Sequence, residues 1–162
     1  MTKNNLKEVL RDLSVIQSVR STEATVFIAL KLSNDEEWHS DIIAWFLNPA
    51  GPLTDSWLLH SLVKHIGCKI PAGVPRVLRE VQIDNDIPDV VVKWPDFKIL
   101  IENKTKSSEH SDQCKRYLKS FGIKDQEHGH LIFLNPSKNP WPKSVDRSDQ
   151  RVGGLSYRDV FL

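Results

Sequence analysis

Residues 88–104 read Pro-Asp-Val-Val-Val-Lys-Trp-Pro-Asp-Phe-Lys-Ile-Leu-Ile-Glu-Asn-Lys. Val90 to Trp94 and Phe97 to Ile101 carry the β-branched and aromatic side chains that strands favour, with Pro95-Asp96 as the break between them. With Pro95 and Asp96 as the two loop residues of a hairpin, paired positions sum to 191, and Asp89 falls opposite Glu102. Their Cα atoms would then lie about 4.5–5.5 Å apart. Side chains alternate along a strand, so Lys104 emerges on the same face as Glu102. Two carboxylates and one ammonium therefore converge at one end of the hairpin. Adjacent carboxylates repel unless positive charge lies between them, and a divalent cation is the usual remedy.

Working outward, the spacing of Leu6, Val9, Leu10, Leu13 and Ile16 predicts a helix over about residues 4–19. A short apolar, helical stretch follows through Leu32. Ser33 or Asn34 is the expected cap of the next helix, with Asp35, Glu36 and Glu37 in its first turn and a stop before Pro49. Asp55 or Ser56 would cap another helix running to Ile66, with Gly67 in the stop position. After a loop at 71–75, strands are expected at about 77–84, 88–94 and 97–103. A helix at about 108–121, closed by Gly122, and a strand from His130 to Leu134 come next. Residues 136–154 read as a loop, and Leu155 to Leu162 as the start of a helix. The order is αβββαβ.

The 162 residues suffice for one domain, and 27% charged with 40% hydrophobic residues describes a globular composition. No apolar run approaches the roughly 20 residues that span a bilayer, and the N-terminus lacks the apolar core of a secretory signal. Two cysteines, Cys68 and Cys114, form no paired framework, so a reduced, cytoplasmic setting is expected. Charge is uneven along the chain. Residues 1–87 hold 9 Lys/Arg against 11 Asp/Glu, and residues 88–162 hold 13 against 10. Lys104, Lys106, Lys115, Arg116 and Lys119 cluster in sequence near the hairpin end and could meet a phosphate backbone. His128 and His130 are a weak metal pair with no second pair to match them. Of the five tryptophans, Trp141, between two prolines, is the one expected at the surface.

Pro88-Asp89 followed by Glu102-x-Lys104 resembles the signature of the PD-(D/E)XK nuclease superfamily, whose common core is also αβββαβ. The resemblance implies an α/β, restriction-endonuclease-like fold: a mixed central sheet flanked by helices on both faces, with extra N-terminal helices, as a single domain over residues 1–162. It implies that Asp89 and Glu102, aided by the backbone carbonyl of Asn103, hold Mg2+, with Mn2+ as a substitute, and that Lys104 positions or activates the attacking water. The expected reaction is hydrolysis of DNA phosphodiester bonds, with RNA left open as substrate. Gln113 and Tyr117, four apart and so on one helical face, are similar to the Gln-x-x-x-Tyr motif of the exonuclease-like branch, which implies contact with the substrate strand.

Glu36-Glu37-Trp38-His39-Ser40 and the following Leu47-Asn48-Pro49 look like the acid-x-x-His-Ser helix of one bacterial and phage subfamily. That likeness implies that Glu36 or His39 adds a ligand to the metal site, and the nuclease resemblance as a whole suggests a role in phage defence, a mobile element or DNA repair. Two departures stand out. Pro88 occupies a place where the subfamily usually has Arg or Ser, and subfamily members generally continue past the Leu155-Ser156-Tyr157 element, so the chain would be a trimmed or naturally short version. A homodimer would suit the cutting of both strands of a duplex. The alternative reading is a catalytically silent nucleic-acid-binding module of the same fold, whose signature would be a missing catalytic residue, and none is missing.

Overall fold

Asp35, not Ser33 or Asn34, begins the first helix of the computed structural model, which describes residues 35–50, 57–105, 109–137 and 140–157. The expected helix at 4–19 and the stretch through Leu32 lie outside those residues, as do Asp55 and Ser56. Asp35 has extended backbone, and its Oδ1 accepts from the N–H groups of Glu37 (3.1 Å) and Trp38 (3.2 Å). Two otherwise orphaned donors are thereby satisfied. Helix α1 (Glu36–Leu47) follows, ending at Asn48 before Pro49. Helix α2 (Trp57–His65) is closed by Gly67 at φ +72°. There the N–H of Gly67 donates to the Lys64 carbonyl and that of Cys68 to the Val63 carbonyl, the pairing of a glycine-capped helix end.

Among the described residues, five strands form one sheet in the order β1-β2-β3-β4-β5: β1 (Arg76–Arg79), β2 (Val90–Lys93), β3 (Lys98–Asn103), β4 (Gly129–Asn135) and β5 (Val152–Ser156). The first two pairings are antiparallel and the last two parallel, so the sheet is mixed. Between β2 and β3, Val90 pairs with Ile101, Val91 with Leu100, Val92 with Ile99 and Lys93 with Lys98, the register the Pro95-Asp96 loop implies. Trp94 closes the turn by donating its N–H to the Phe97 carbonyl at 2.8 Å.

Helix α3 (Gln113–Ser120) lies between β3 and β4 and covers one face of the sheet. Val91, Leu100, Leu131, Phe133 and Val152 pack there with Cys114, Tyr117 and Leu118. On the opposite face Val90, Val92, Ile99, Ile101, Ile132 and Leu134 meet Ile43 and Leu47 of α1 and Leu58, Leu59, Leu62 and Val63 of α2. Each such side chain, fully buried, contributes about 1.5–3 kcal/mol. Because both faces are apolar, the alternation of greasy residues cannot by itself fix the β2–β3 register. The short turn does so, and a slip of one residue would send Asp89 and Glu102 to opposite faces.

Several boundaries differ from the sequence reading. β1 stops at Arg79 because Glu80 turns left-handed (φ 50°), and Ile83 and Asp86 then bridge a tight turn through Asp84 (φ 55°). Helix α3 starts five residues later than expected, after left-handed Ser111 and Asp112, but Gly122 (φ 65°) closes it as expected. The largest correction is β5. The stretch expected to end a loop and begin a helix is a strand parallel to β4; Tyr157 after it is helical, and the rest of the expected helix, 158–162, lies outside the described residues. Its Val-Gly-Gly-Leu-Ser sequence hides a strand behind two glycines, which mark close approach here rather than a turn. Among the tryptophans whose side chains are described, Trp38 (52%) and Trp45 (44%) are the exposed ones. Trp141 is half-buried, donating to the Val145 carbonyl at 2.8 Å.

A Cβ on Gly154 would lie 1.6 Å from the Pro140 carbonyl oxygen, and that neighbour is backbone, which cannot swing aside. Gly154→Ala is therefore expected to cost about 1–3 kcal/mol. Thermal denaturation measures this, and an unchanged Tm would contradict the packing of residue 140 over β5.

Candidate active site

Asp89 occupies the bend just before β2. At that point the N–H of Asn103 finds the Asp89 carboxylate, Oδ2 accepting at 2.7 Å. The Asp89 carbonyl takes the Arg79 Nε (2.9 Å) and the Glu80 N–H (3.3 Å), so the residue is held at both its backbone and its side chain. Glu102, which follows the Ile101 paired with Val90, is 2% exposed. Its Oε1 lies 2.6 Å from the Lys104 ammonium, and its Oε2 is buried with no hydrogen-bond partner. The Tyr117 phenol lies near enough to ease the Glu102 charge slightly. Its hydroxyl, however, donates to the Ile87 carbonyl at 2.8 Å, which leaves Oε2 without a donor.

The electrostatics follow from this crowding. Burial, and then the Asp89 charge, push the Glu102 carboxyl up to about 7, against the pull of Lys104. Asp89 is raised as well, chiefly by burial, with the Asn103 N–H and Lys104 opposing. Burial works against the Lys104 ammonium, but Glu102, Glu36 and Asp89 together hold it above its ordinary value. The cluster has three carboxylates and one firmly charged lysine, an excess of negative charge that a cation would relieve.

Helix α1 brings Glu36, rather than His39, to this cluster. Glu36 Oε2 lies 3.8 Å from Lys104 Nζ, and Oε1 accepts from the Thr105 N–H (2.9 Å) and hydroxyl (3.3 Å). His39 is buried instead against Tyr157, with Nδ1 3.2 Å from its hydroxyl. Among the described residues, no group of three or more His, Cys, Asp or Glu side chains is arranged to hold a metal. A bound cation would thus rest on the Asp89 and Glu102 pair, which suits an ion that keeps several waters. The buried, partnerless Glu102 Oε2 fits such an occupant.

Gln113 and Tyr117 do share a helical face, Gln113 Nε2 donating to the Tyr117 hydroxyl at 2.6 Å. The expectation that Tyr117 touches a substrate strand needs correction, because its ring is 1% exposed and its hydroxyl is committed to Ile87. Burial and the Glu102 charge also push that phenol up, keeping it a proton donor. It ties α3 to the segment entering Asp89. Tyr117→Phe is expected to leave the affinity for nucleic acid unchanged and to lower stability by about 0.5–1.5 kcal/mol, the loss of its hydrogen bond to the Ile87 carbonyl. Parallel urea melts and filter-binding curves check both halves, and weaker nucleic-acid binding at unchanged stability would restore the contact role.

Of the basic residues, Lys115, Arg116 and Lys119 are exposed on α3, and Arg116 also pairs with Asp86 at 3.1 Å; Lys106 lies outside the described residues. His128 and His130 do not act as a pair. His128 sits 2.6 Å from Asp125, while His130 is buried in β4 and pushed down to about 4 by that burial. The sequence reading missed Arg79 and Thr105, which no spacing singles out.

A model of the PD-(D/E)XK nuclease superfamily matches residues 25–161. The chain belongs to that superfamily. No curated protein and no solved structure matches it. Membership in the PD-(D/E)XK superfamily points to nuclease activity on nucleic acid, and its enzymes typically use divalent metals. The mixed sheet with helices on both faces is the restriction-endonuclease-like arrangement of that superfamily.

Proposed function

We propose that this protein is a Mg2+-dependent deoxyribonuclease, with Mn2+ able to substitute. The observation that carries this reading is the buried Glu102 carboxylate. It faces Asp89 across the hairpin, touches Lys104, and keeps one oxygen without a partner. Asp89 and Glu102 would hold the cation, with the Asn103 carbonyl as a further oxygen ligand. When bound, such an ion neutralises charge on the scissile phosphate and makes water a better nucleophile at neutral pH.

The chain's own residues supply the rest. Lys104, held charged by its carboxylate neighbours, is a fixed donor rather than a base. It would orient the attacking water and stabilise charge developing on the phosphate. Glu36, 3.8 Å from the Lys104 ammonium, helps keep it ionised. Gln113, part-exposed at the start of α3, would meet the strand, and the cations of α3 would meet phosphates beyond it. A place in phage defence or on a mobile element, and pairing of two copies to cut both strands, extend this reading.

Incubating the pure protein with linear DNA, circular DNA and RNA, with Mg2+, Mn2+ or EDTA, tests it. Cleavage of DNA that EDTA stops is the expected result, and nicked circles would mark an endonuclease. If no nucleic acid is cut with either ion, the enzyme reading fails.

A further inference from the structure

Asn103, the middle residue of Glu102-x-Lys104, is fully buried, and its side chain is where three segments meet. Its Nδ2 donates to the Glu36 carbonyl (3.1 Å) and to Ser40 Oγ (3.0 Å), both on α1. The Tyr157 hydroxyl, just past β5, donates to its Oδ1. That hydroxyl has one proton to give, so His39 Nδ1, 3.2 Å away, is the donor in its own contact with the phenol oxygen. Ser40 in turn donates to the Glu36 carbonyl at 2.7 Å. An amide suits this place, since it offers two donors toward α1 and one acceptor toward Tyr157.

The backbone of the same residue does the rest. The Asn103 N–H holds the Asp89 carboxylate, and the next N–H, of Lys104, donates to the Leu134 carbonyl at 2.8 Å. Fixing the Asn103 side chain therefore fixes the peptides carrying Glu102 and Lys104 and the group that aims Asp89. We propose that Asn103, clamped between Ser40 and Tyr157, is a positioning residue that sets the spacing of the Asp89 and Glu102 carboxylates. On this account the His and Ser of the α1 motif serve the clamp and are not ligands. The proposal rests on the nuclease reading above for its catalytic consequence, though not for its effect on cation binding.

Tyr157→Phe and Ser40→Ala, each removing one hydroxyl from the full chain, test it against Ile99→Val, a core change at the far end of β3. For the two clamp variants, kcat on DNA is expected to fall about tenfold or more, and Mn2+ affinity by a similar factor. KM for DNA should hold and Tm should move no more than in Ile99→Val. Wild-type Mn2+ affinity and rate in both clamp variants would overturn the proposal. So would an equal loss of kcat in Ile99→Val, which would mark a merely structural effect. A wild-type chain that binds Mn2+ yet cuts nothing defeats the nuclease reading alone, because the Mn2+ titrations of the variants still decide the clamp. A wild-type chain that binds no Mn2+ overturns the clamp as a device for a cation site.

Discussion

Asp89→Asn is expected to abolish cation-dependent cleavage, a loss of at least about a hundredfold, while the protein stays folded. The asparagine keeps the size of the side chain and an oxygen for the Asn103 N–H, so the 2.7 Å hydrogen bond that aims it survives. What disappears is one of the two charges that would hold the ion. The change also lifts a repulsion from Glu102, whose carboxyl is raised in part by Asp89, so stability should rise slightly. Lys104→Ala is a less clean experiment. It removes the only cation within 4 Å of the Glu102 carboxylate among the described residues and leaves a buried carboxylate that must protonate or unfold the hairpin end. Cleavage assays beside circular dichroism separate the two cases, and an Asp89→Asn protein with wild-type rate would remove Asp89 from the chemistry.

The second large effect concerns stability in the absence of divalent ions. The Glu102 carboxyl has its folded pKa at about 7, above the ordinary 4.5. Between those values the folded chain keeps a proton that the unfolded chain has lost, so stability falls as pH rises through that window. Below pH 4.5 the favourable contribution is fully present; above pH 7 it is gone, a change of about 3 kcal/mol. Asp89, raised in the same direction, adds to the slope. Urea denaturation in EDTA at pH 5 and pH 8 should show this loss in the wild type and much less of it in Glu102→Gln. Parallel slopes for the two proteins would refute the burial argument. By the same linkage, adding Mn2+ near pH 7 should release about half a proton from Glu102, measurable as a buffer-dependent heat of binding.

Much of this was written locally in the chain. The β2–β3 register followed from a two-residue Pro95-Asp96 loop, because a tight turn leaves the flanking strands one way to pair. The stops at Gly67 and Gly122 followed from the left-handed backbone that closes a helix. Edges were harder. The cap at Asp35 was one residue from the expected place because Ser, Asn and Asp in succession are all competent caps. β5 was invisible because Gly153 and Gly154 carry no side chain to show a strand's alternation, and the reason for Gly154 is the Pro140 carbonyl, a neighbour from another segment.

The sequence by itself thus determined the αβββαβ order, the opposition of Asp89 and Glu102, and the placing of Lys104 beside them, since each depends on turn chemistry and strand alternation over a few residues. Only the tertiary structure set Glu36 beside Lys104 and His39 against Tyr157, sent Tyr117 inward, and brought Ser40, Asn103 and Tyr157 to one point. Those outcomes depend on how α1 and α3 pack across the two faces of the sheet. Periodicity says which face of a helix is buried, but not which residue of another segment it meets there.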